Sequence, residues 1–305
     1  MKQFFLSIVL VGFSFCSMAA ETVTIVWGWG PGDNLANSSR VLADEANKIQ
    51  KNYFFLFDSK PGAGGAIAAS HVKRTPNTIL ATSSAFFVRP NVFPTTNIYK
   101  TNEFKELMPQ CYSPIAILSS KHQSWNKVPK DKPLTVGNTG LGSTTHLVGL
   151  QLTEKYQDST FVAFKTVADS FLAMIGNNID IDIGFLPSAI NWNQGNNSKK
   201  VTVLGITGSD KSFEYPLLID QGFPSVLGSI NLPLHLVVSA DTPPEKIDKW
   251  REILVRAANT NAVKEVYKAN SCVSLANMPA KDMQPWFDNQ VLKWKTLSKG
   301  INLER

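Results

Sequence analysis

Ser143 and His146 stand three residues apart at the end of a glycine-rich run, Gly137-Asn138-Thr139-Gly140-Leu141-Gly142-Ser143. A serine hydroxyl beside an imidazole is the nucleophile–base pairing that acyl transfer requires, so a secreted Ser/His hydrolase is one reading. The same residues also make a helix cap. Ser143, Thr144 and Thr145 precede Leu147, Leu150 and Leu152, and hydroxyls at a helix start accept from its first unpaired N–H groups. A capped helix start behind a glycine loop aims backbone donors at one point and suits an anion, at about 0.3–2 kcal/mol per contact. Asp180 and Asp182 share one face of the alternating stretch 179–183. They fit a metal pair or a hydrogen-bonded sheet edge, and the local sequence supplies no further oxygen ligands. His71, His122, His146 and His235 lack metal-ligand spacing and no Cys-x-x-Cys occurs. No metal and no cofactor is therefore expected.

The elements that must position the glycine loop are a strand before it, from Leu134, and a helix after it. Residues 23–50 repeat that layout: Val23 to Trp27 as strand, Gly28 to Asn34 as loop, then Leu35, Leu42, Ala46 and Ile49 on one helix face. Two such units, far apart in sequence, can grip one small molecule from both sides. Further strands are expected at 53–57, 78–82, 160–164, 179–183, 201–206 and 234–238, with one long extended segment at 107–119. Helices are expected at 66–73, 168–175, 243–258 and 286–297, and polar connections at 120–133 and 191–200. Alternating strand and helix point to an α/β fold of parallel sheets with helices on both faces.

Lys2, an apolar run from Phe4 to Phe15 and small residues at Ser17, Ala19 and Ala20 read as a secretory signal peptide over residues 1–20. The run is shorter than the roughly 18 apolar residues of a membrane span, and no later stretch approaches that length. Export to a bacterial periplasm follows, and the remaining chain is long enough for two domains. The net charge of +6, one of it from Lys2, serves solubility as readily as anion attraction. Lys60, Lys73, Lys121, Lys132, Lys199 and Lys200 are scattered and not interleaved with aromatics, which argues against nucleic acid as a partner. Loss of Cys16 with the signal leaves Cys111 and Cys272, an even count that can pair in an oxidising compartment. Trp250, Trp286 and Trp294 lie on expected helices and read as packing residues.

A series of short motifs carries a resemblance over nearly the whole chain after residue 20. They are Pro61-Gly62-Ala63-Gly64-Gly65-Ala66-Ile67-Ala68, Gly137 through Leu147, Ile179-Asp180-Ile181, Leu186-Pro187-Ser188-Ala189, Gly205-Ile206-Thr207-Gly208, Gly222-Phe223-Pro224, and Thr242-Pro243-Pro244-Glu245-Lys246-Ile247. In this order and spacing the chain resembles the substrate-binding proteins of tripartite tricarboxylate transporters, often called Bug proteins. The resemblance implies a two-domain periplasmic-binding-protein fold of the Venus flytrap kind with two crossing hinge strands. Domain I would hold residues 21–107 and 237–305, and domain II residues 108–236. It also implies a non-enzymatic monomer that captures a small organic acid or amino acid and delivers it to integral-membrane transporter subunits. A sensor kinase in place of the permease, or a degenerate interaction protein of the same fold, are the alternative roles.

By the same resemblance the ligand's carboxylate would sit between two opening loops. These are Trp29, Gly30, Pro31, Gly32, Asp33 and Asn34 on one side, and Thr139 through Thr145, with Gly140, Ser143 and Thr144, on the other. Ser83 and Ser84 match a third loop. The chain departs from the family in the first loop, where Asp33 replaces a glycine and Leu35-Ala36 replace Thr-Asp. A Tyr-Lys-Gly becomes Phe164-Lys165-Thr166, and an Asp-Asn pair becomes Gly184-Phe185. A carboxylate at Asp33 would repel an anionic ligand unless a cation or ammonium intervened. Asp33 with Trp27, Trp29 and Phe185 would suit a ligand bearing an amine or a ring; alternatively Asp33 faces solvent or caps the first helix.

Overall fold

The computed structural model describes residues 20–32, 34–140, 142–152, 156, 158–164, 166–195, 197 and 200–304. The signal sequence, apart from Ala20, lies outside the described residues, as do Asp33, Lys165, Lys199 and the side chain of Asn34. The chain opens with β1 (Glu21–Trp27), α1 (Asn34–Ile49), β2 (Tyr53–Ser59), α2 (Ala66–Arg74), β3 (Thr78–Ser83), α3 (Ala85–Val92) and β4 (Phe104–Ser113). It continues through β5 (Ile115–Ser119), β6 (Thr135–Asn138), α4 (Thr144–Leu152), β7 (Thr160–Ala163), α5 (Val167–Ile175), β8 (Ile181–Phe185), α6 (Leu186–Gln194) and β9 (Thr202–Ile206). It closes with β10 (Leu232–Ser239), α7 (Pro244–Ala258), α8 (Asn261–Ala269), β11 (Val273–Ser274) and α9 (Ala280–Leu297).

The period of two in β1 sends Val23, Ile25 and Trp27 to one side, into one core with Leu42, Ala43 and Ala46 of α1 and Trp250 of α7. Val26 goes to the other side, with Ala68 and Val72 of α2 and Phe287 of α9. Each fully buried Val, Ile or Leu contributes about 1.5–3 kcal/mol, so helices cover both faces of this sheet. The six strands run in the order β11-β4-β10-β3-β1-β2, and a second sheet of five runs β7-β6-β8-β5-β9. The core under α2, α3 and α9 continues into the one under α4, joining Leu80 and Phe87 to Leu147 and Ile183. Cys111 of β4 and Cys272, just before β11, form a disulfide with Cα atoms 5.6 Å apart.

Neither sheet is wholly parallel, contrary to the expectation from alternation. β2-β1-β3 and β7-β6-β8 are parallel, but β10 runs antiparallel to β3 and β4, and β5 antiparallel to β8 and β9. The cause is the crossing of the chain between sheets, which brings strands in from the other sheet in reversed direction. The extended segment at 107–119 is two strands broken at Pro114, a residue without the N–H that a ladder needs. Boundaries at 107/108 and 236/237 would cut β4 and β10, which keep their full length in the six-stranded sheet. Leu232 pairs with Ser113, so the chain passes between sheets side by side at Pro114 and Asn231. Beyond them Ile115 and Thr207 are joined by two hydrogen bonds, Thr207 N–H donating to Ile115 O at 2.9 Å and Ile115 N–H to the Thr207 side-chain Oγ1 at 2.9 Å. Helices α3, α6 and α8 were not expected. α6 extends into the polar stretch at 191–200, and α9 begins at Ala280 instead of Trp286.

Candidate functional site

A cleft of about 660 Å³ lies between the two sheets, and much of its wall comes from loops at the carboxyl ends of strands. The six-stranded side supplies Trp27, Trp29, Gly30, Gly32 and Leu35 around the β1–α1 loop, and Ser83 and Ala85 between β3 and α3. Ser113, Leu232 and Asn270 complete that wall. Opposite stand Thr139, Ser143, Thr144 and Thr145 of the β6–α4 loop. Thr166, Val167, Ala168 and Phe171 follow from the start of α5, then Phe185, Pro187 and Ser188 from the start of α6. No described residue of this wall carries a charge.

The β6–α4 loop is held by its own hydroxyls. Thr145 Oγ1 accepts from Thr139 N–H at 3.0 Å and lies 2.9 Å from the hydroxyls of both Thr139 and Ser143. Ser143 Oγ accepts from His146 N–H at 3.1 Å, which makes it a cap of α4. His146 Nδ1 in turn accepts from Gly142 N–H at 3.2 Å. The imidazole is therefore tied to the backbone and not to the Ser143 hydroxyl, and burial holds its pKa below the usual histidine range. This pairing is the geometry of a folded cap, not of a nucleophile and its base.

The cap is also where the two sides of the cleft meet. Ser84 and Thr144 share a buried hydroxyl–hydroxyl hydrogen bond, which sets the N-terminus of α3 beside that of α4. Gly142, at φ +75°, brings the loop against Val92 and Phe93 at the end of α3 and against Leu303. A Cβ there would lie 2.7 Å from Phe93 Cε2.

Of the residues that the sequence singles out, Trp29, Gly30, Ser83, Thr139, Ser143, Thr144, Thr145 and Phe185 line the cleft. Ser84 lies buried behind the wall, bonded to Thr144. Pro31 faces a separate shallow depression with Arg40, whose guanidinium donates to Pro31 O at 3.0 Å. Gly140 is outside the wall, its N–H donated to Asn138 Oδ1 at 2.9 Å. Asp33 and the Asn34 side chain fall outside the described residues. The sequence reading did not single out Ser113, Thr166, Phe171, Leu232 or Asn270 for the cleft. Ser113 and Asn270 flank Cys111 and Cys272 at a distance of two residues, so the paired cysteines are the signal that could have placed them.

The remaining candidate groups serve the fold. Asp180 precedes β8, accepts from Lys121 Nζ at 2.7 Å and from Thr135 N–H at 2.9 Å, and is held below the usual carboxylate range chiefly by those bonds against the opposing effect of burial. Asp182 is buried, bonded to Ser170, and burial pushes its carboxyl up to about 7. The two carboxylates thus have separate partners, and among the described residues no cluster of three or more metal-ligating side chains occurs. Trp250 and Trp294 are fully buried.

No curated protein sequence matches the chain. Solved structures share the fold. One solved as a periplasmic transporter has a TM-score of 0.77 at 20% identity, covering 94% of this chain and 100% of that one. The periplasmic binding protein BugD gives 0.76 at 20%, covering 92% and 97%. MatC from Rhodopseudomonas palustris, solved with bound malate, gives 0.74 at 17%, covering 92% and 99%. Among the described residues no helix is long and apolar enough to cross a membrane. The family model for the tripartite tricarboxylate transporter family receptor matches residues 39–303, and the chain belongs to that family.

Proposed function

We propose that this receptor captures a small carboxylate-bearing solute, an organic acid or an amino acid, in the cleft between its sheets and presents it to integral-membrane transporter subunits. The observation that carries the reading is the convergence of the α3 and α4 N-termini on one point of the cleft wall, stapled by Ser84 and Thr144. Two helix N-termini concentrate unpaired N–H donors and positive dipole ends where an anion would lie. Relatives of the same fold were solved with malate and with adipate, both carboxylates. The work is done outside the cytoplasm and without catalysis. Pro114 and Asn231 act as the hinge between a lobe built on the six-stranded sheet and one built on the five-stranded sheet. Ligand contacts with both lobes favour the closed state by their differential free energy.

The test is a thermal-shift screen of residues 21–305, unfolded and refolded to remove carried-over ligand, against carboxylates and amino acids. A ligand at 100 times its Kd adds about 2.7 kcal/mol and raises Tm by several degrees. A panel in which no carboxylate shifts Tm removes the capture reading and leaves the fold untouched.

A further inference from the structure

Resting on capture in this cleft, we infer that the solute is a carboxylate with a planar aromatic body. The cleft has an anion pole at the starts of α3 and α4. The hydrogen bond between Ser84 and Thr144 places the α3 and α4 N-termini side by side, so that they form a single pole. Ser143 Oγ takes the His146 N–H, and the Thr144 and Thr145 N–H groups remain as the first-turn donors of α4.

Two further helix starts on the wall, those of α5 and α6, are poorer hosts for a carboxylate. α5 carries Asp169 in its first turn, and its capping Thr166 hydroxyl already accepts the Asp169 N–H at 3.1 Å. A resident carboxylate there opposes an incoming one. α6 begins Leu186-Pro187, and proline removes one of the first-turn donors. The cleft also carries rings from both lobes, Trp27 and Trp29 on one side and Phe171 and Phe185 on the other.

The rings are also held in place. The Trp27 and Trp29 ring centroids are 4.8 Å apart at an interplanar angle of 50°. Trp29 O accepts from Ser59 Oγ at 2.5 Å, and its indole lies against Gly65, where a Cβ would be only 3.2 Å from the ring. Phe171 packs edge-on against Trp192 at 5.6 Å. Rigid aromatic faces on both lobes suit a flat apolar body, which would be stacked between them when the lobes close.

Isothermal titration of the refolded protein, residues 21–305, with phenylacetate, benzoate, malate, succinate and citrate tests this. The expected result is a Kd for phenylacetate or benzoate at least 10-fold below that of any of the three polycarboxylates. Phenylacetamide, which lacks the charge, should bind at least 10-fold more weakly than phenylacetate. Phe185→Ala, at a half-buried position, should weaken phenylacetate at least 10-fold, and Trp29→Leu is the second variant should the first fail to fold. Tighter binding of malate, succinate or citrate overturns the aromatic body and leaves capture standing. Unchanged phenylacetate affinity in a folded Phe185→Ala or Trp29→Leu protein overturns the aromatic wall. Absence of binding by all five acids overturns this inference, and capture itself is then decided by the thermal-shift panel of carboxylates and amino acids.

Discussion

At the scale of single residues, the groups that look chemical in sequence are tied into the fold. Ser143 and His146 cap and brace the start of α4, each bonded to a backbone amide. Asp182 is the residue with most latent chemistry, because it is buried against Ser170 on the face where Gly184 leaves space; a Cβ at Gly184 would be 2.7 Å from Asp182 Oδ2. Its carboxyl, pushed up to about 7 by burial, holds its proton in the folded state over a range where the unfolded chain has released it. The folded state therefore binds more protons than the unfolded state between about pH 4 and 7. The contribution of Asp182 is most favourable below about pH 4 and is lost as the pH rises through 7. Asp182→Asn should flatten that decline, which urea unfolding of the two proteins at pH 4.5, 6 and 8 would measure. Parallel pH profiles for the two would sink the assignment.

At the scale of elements, the β6–α4 loop is the part on which both lobes depend. Its hydroxyl network fixes the helix start, and Gly142 lets it nest against the end of α3 and against Leu303. Leu303 is anchored in turn, its N–H donating to Val92 O at 3.0 Å. Neighbouring Glu304 accepts from the backbone N–H groups and hydroxyls of Thr95 and Thr96, bonds that hold its carboxyl down at about 2. Gly142→Ala places an L-residue at φ +75° and drives a methyl toward Phe93. The backbone alone costs about 1–2 kcal/mol. Chemical denaturation should register at least that loss, with ligand affinity lowered as well because the anion pole is displaced. A variant as stable as the parent would show that this loop yields more easily than its packing suggests.

At the scale of the whole molecule, the chain builds two sheets and passes between them beside β4 and β10. β4 and β10 are neighbours in one sheet, and their ends carry the chain across to the other. Tyr112, near the end of β4, reaches over the crossing to donate to Asp210 at 2.8 Å. The disulfide ties β4 to the segment after α8 over a sequence separation of 161 residues. Closing so long a loop constrains the unfolded chain strongly, and removal of such a bond costs about 2–5 kcal/mol. Cys111→Ser with Cys272→Ser should therefore lower the midpoint of urea unfolding by a matching amount. Ser113 and Asn270 sit two residues from the paired cysteines on the cleft wall, so the double variant should weaken ligand binding too. Equal affinity in the reduced and oxidised proteins would confine the disulfide to stability.

The sequence by itself determined the local pieces. The strand, glycine loop and capped helix at 134–152, and the strand and amphipathic helix at 21–49, follow from side-chain period and, in the first, capping chemistry, which act over a few residues. The short motifs, read in order, carried the family and its two-lobed fold. Only the tertiary structure decided where the chain changes sheets, because Pro114 and Asn231 become a boundary through the pairing of β4 with β10, residues far apart in sequence. It likewise decided that Ser84 lies behind the wall, that Pro31 faces away, and that Phe171 and Asn270 face the cleft. Helices α3 and α6 escaped the sequence reading for a related reason. Buried residues spread over much of the surface of α3, including Phe86, Phe87, Val88 and Val92, which erases the polar–apolar period that marks a surface helix. α6 ends in polar residues that read as loop until the packing of Leu186 and Ala189 into the core is seen.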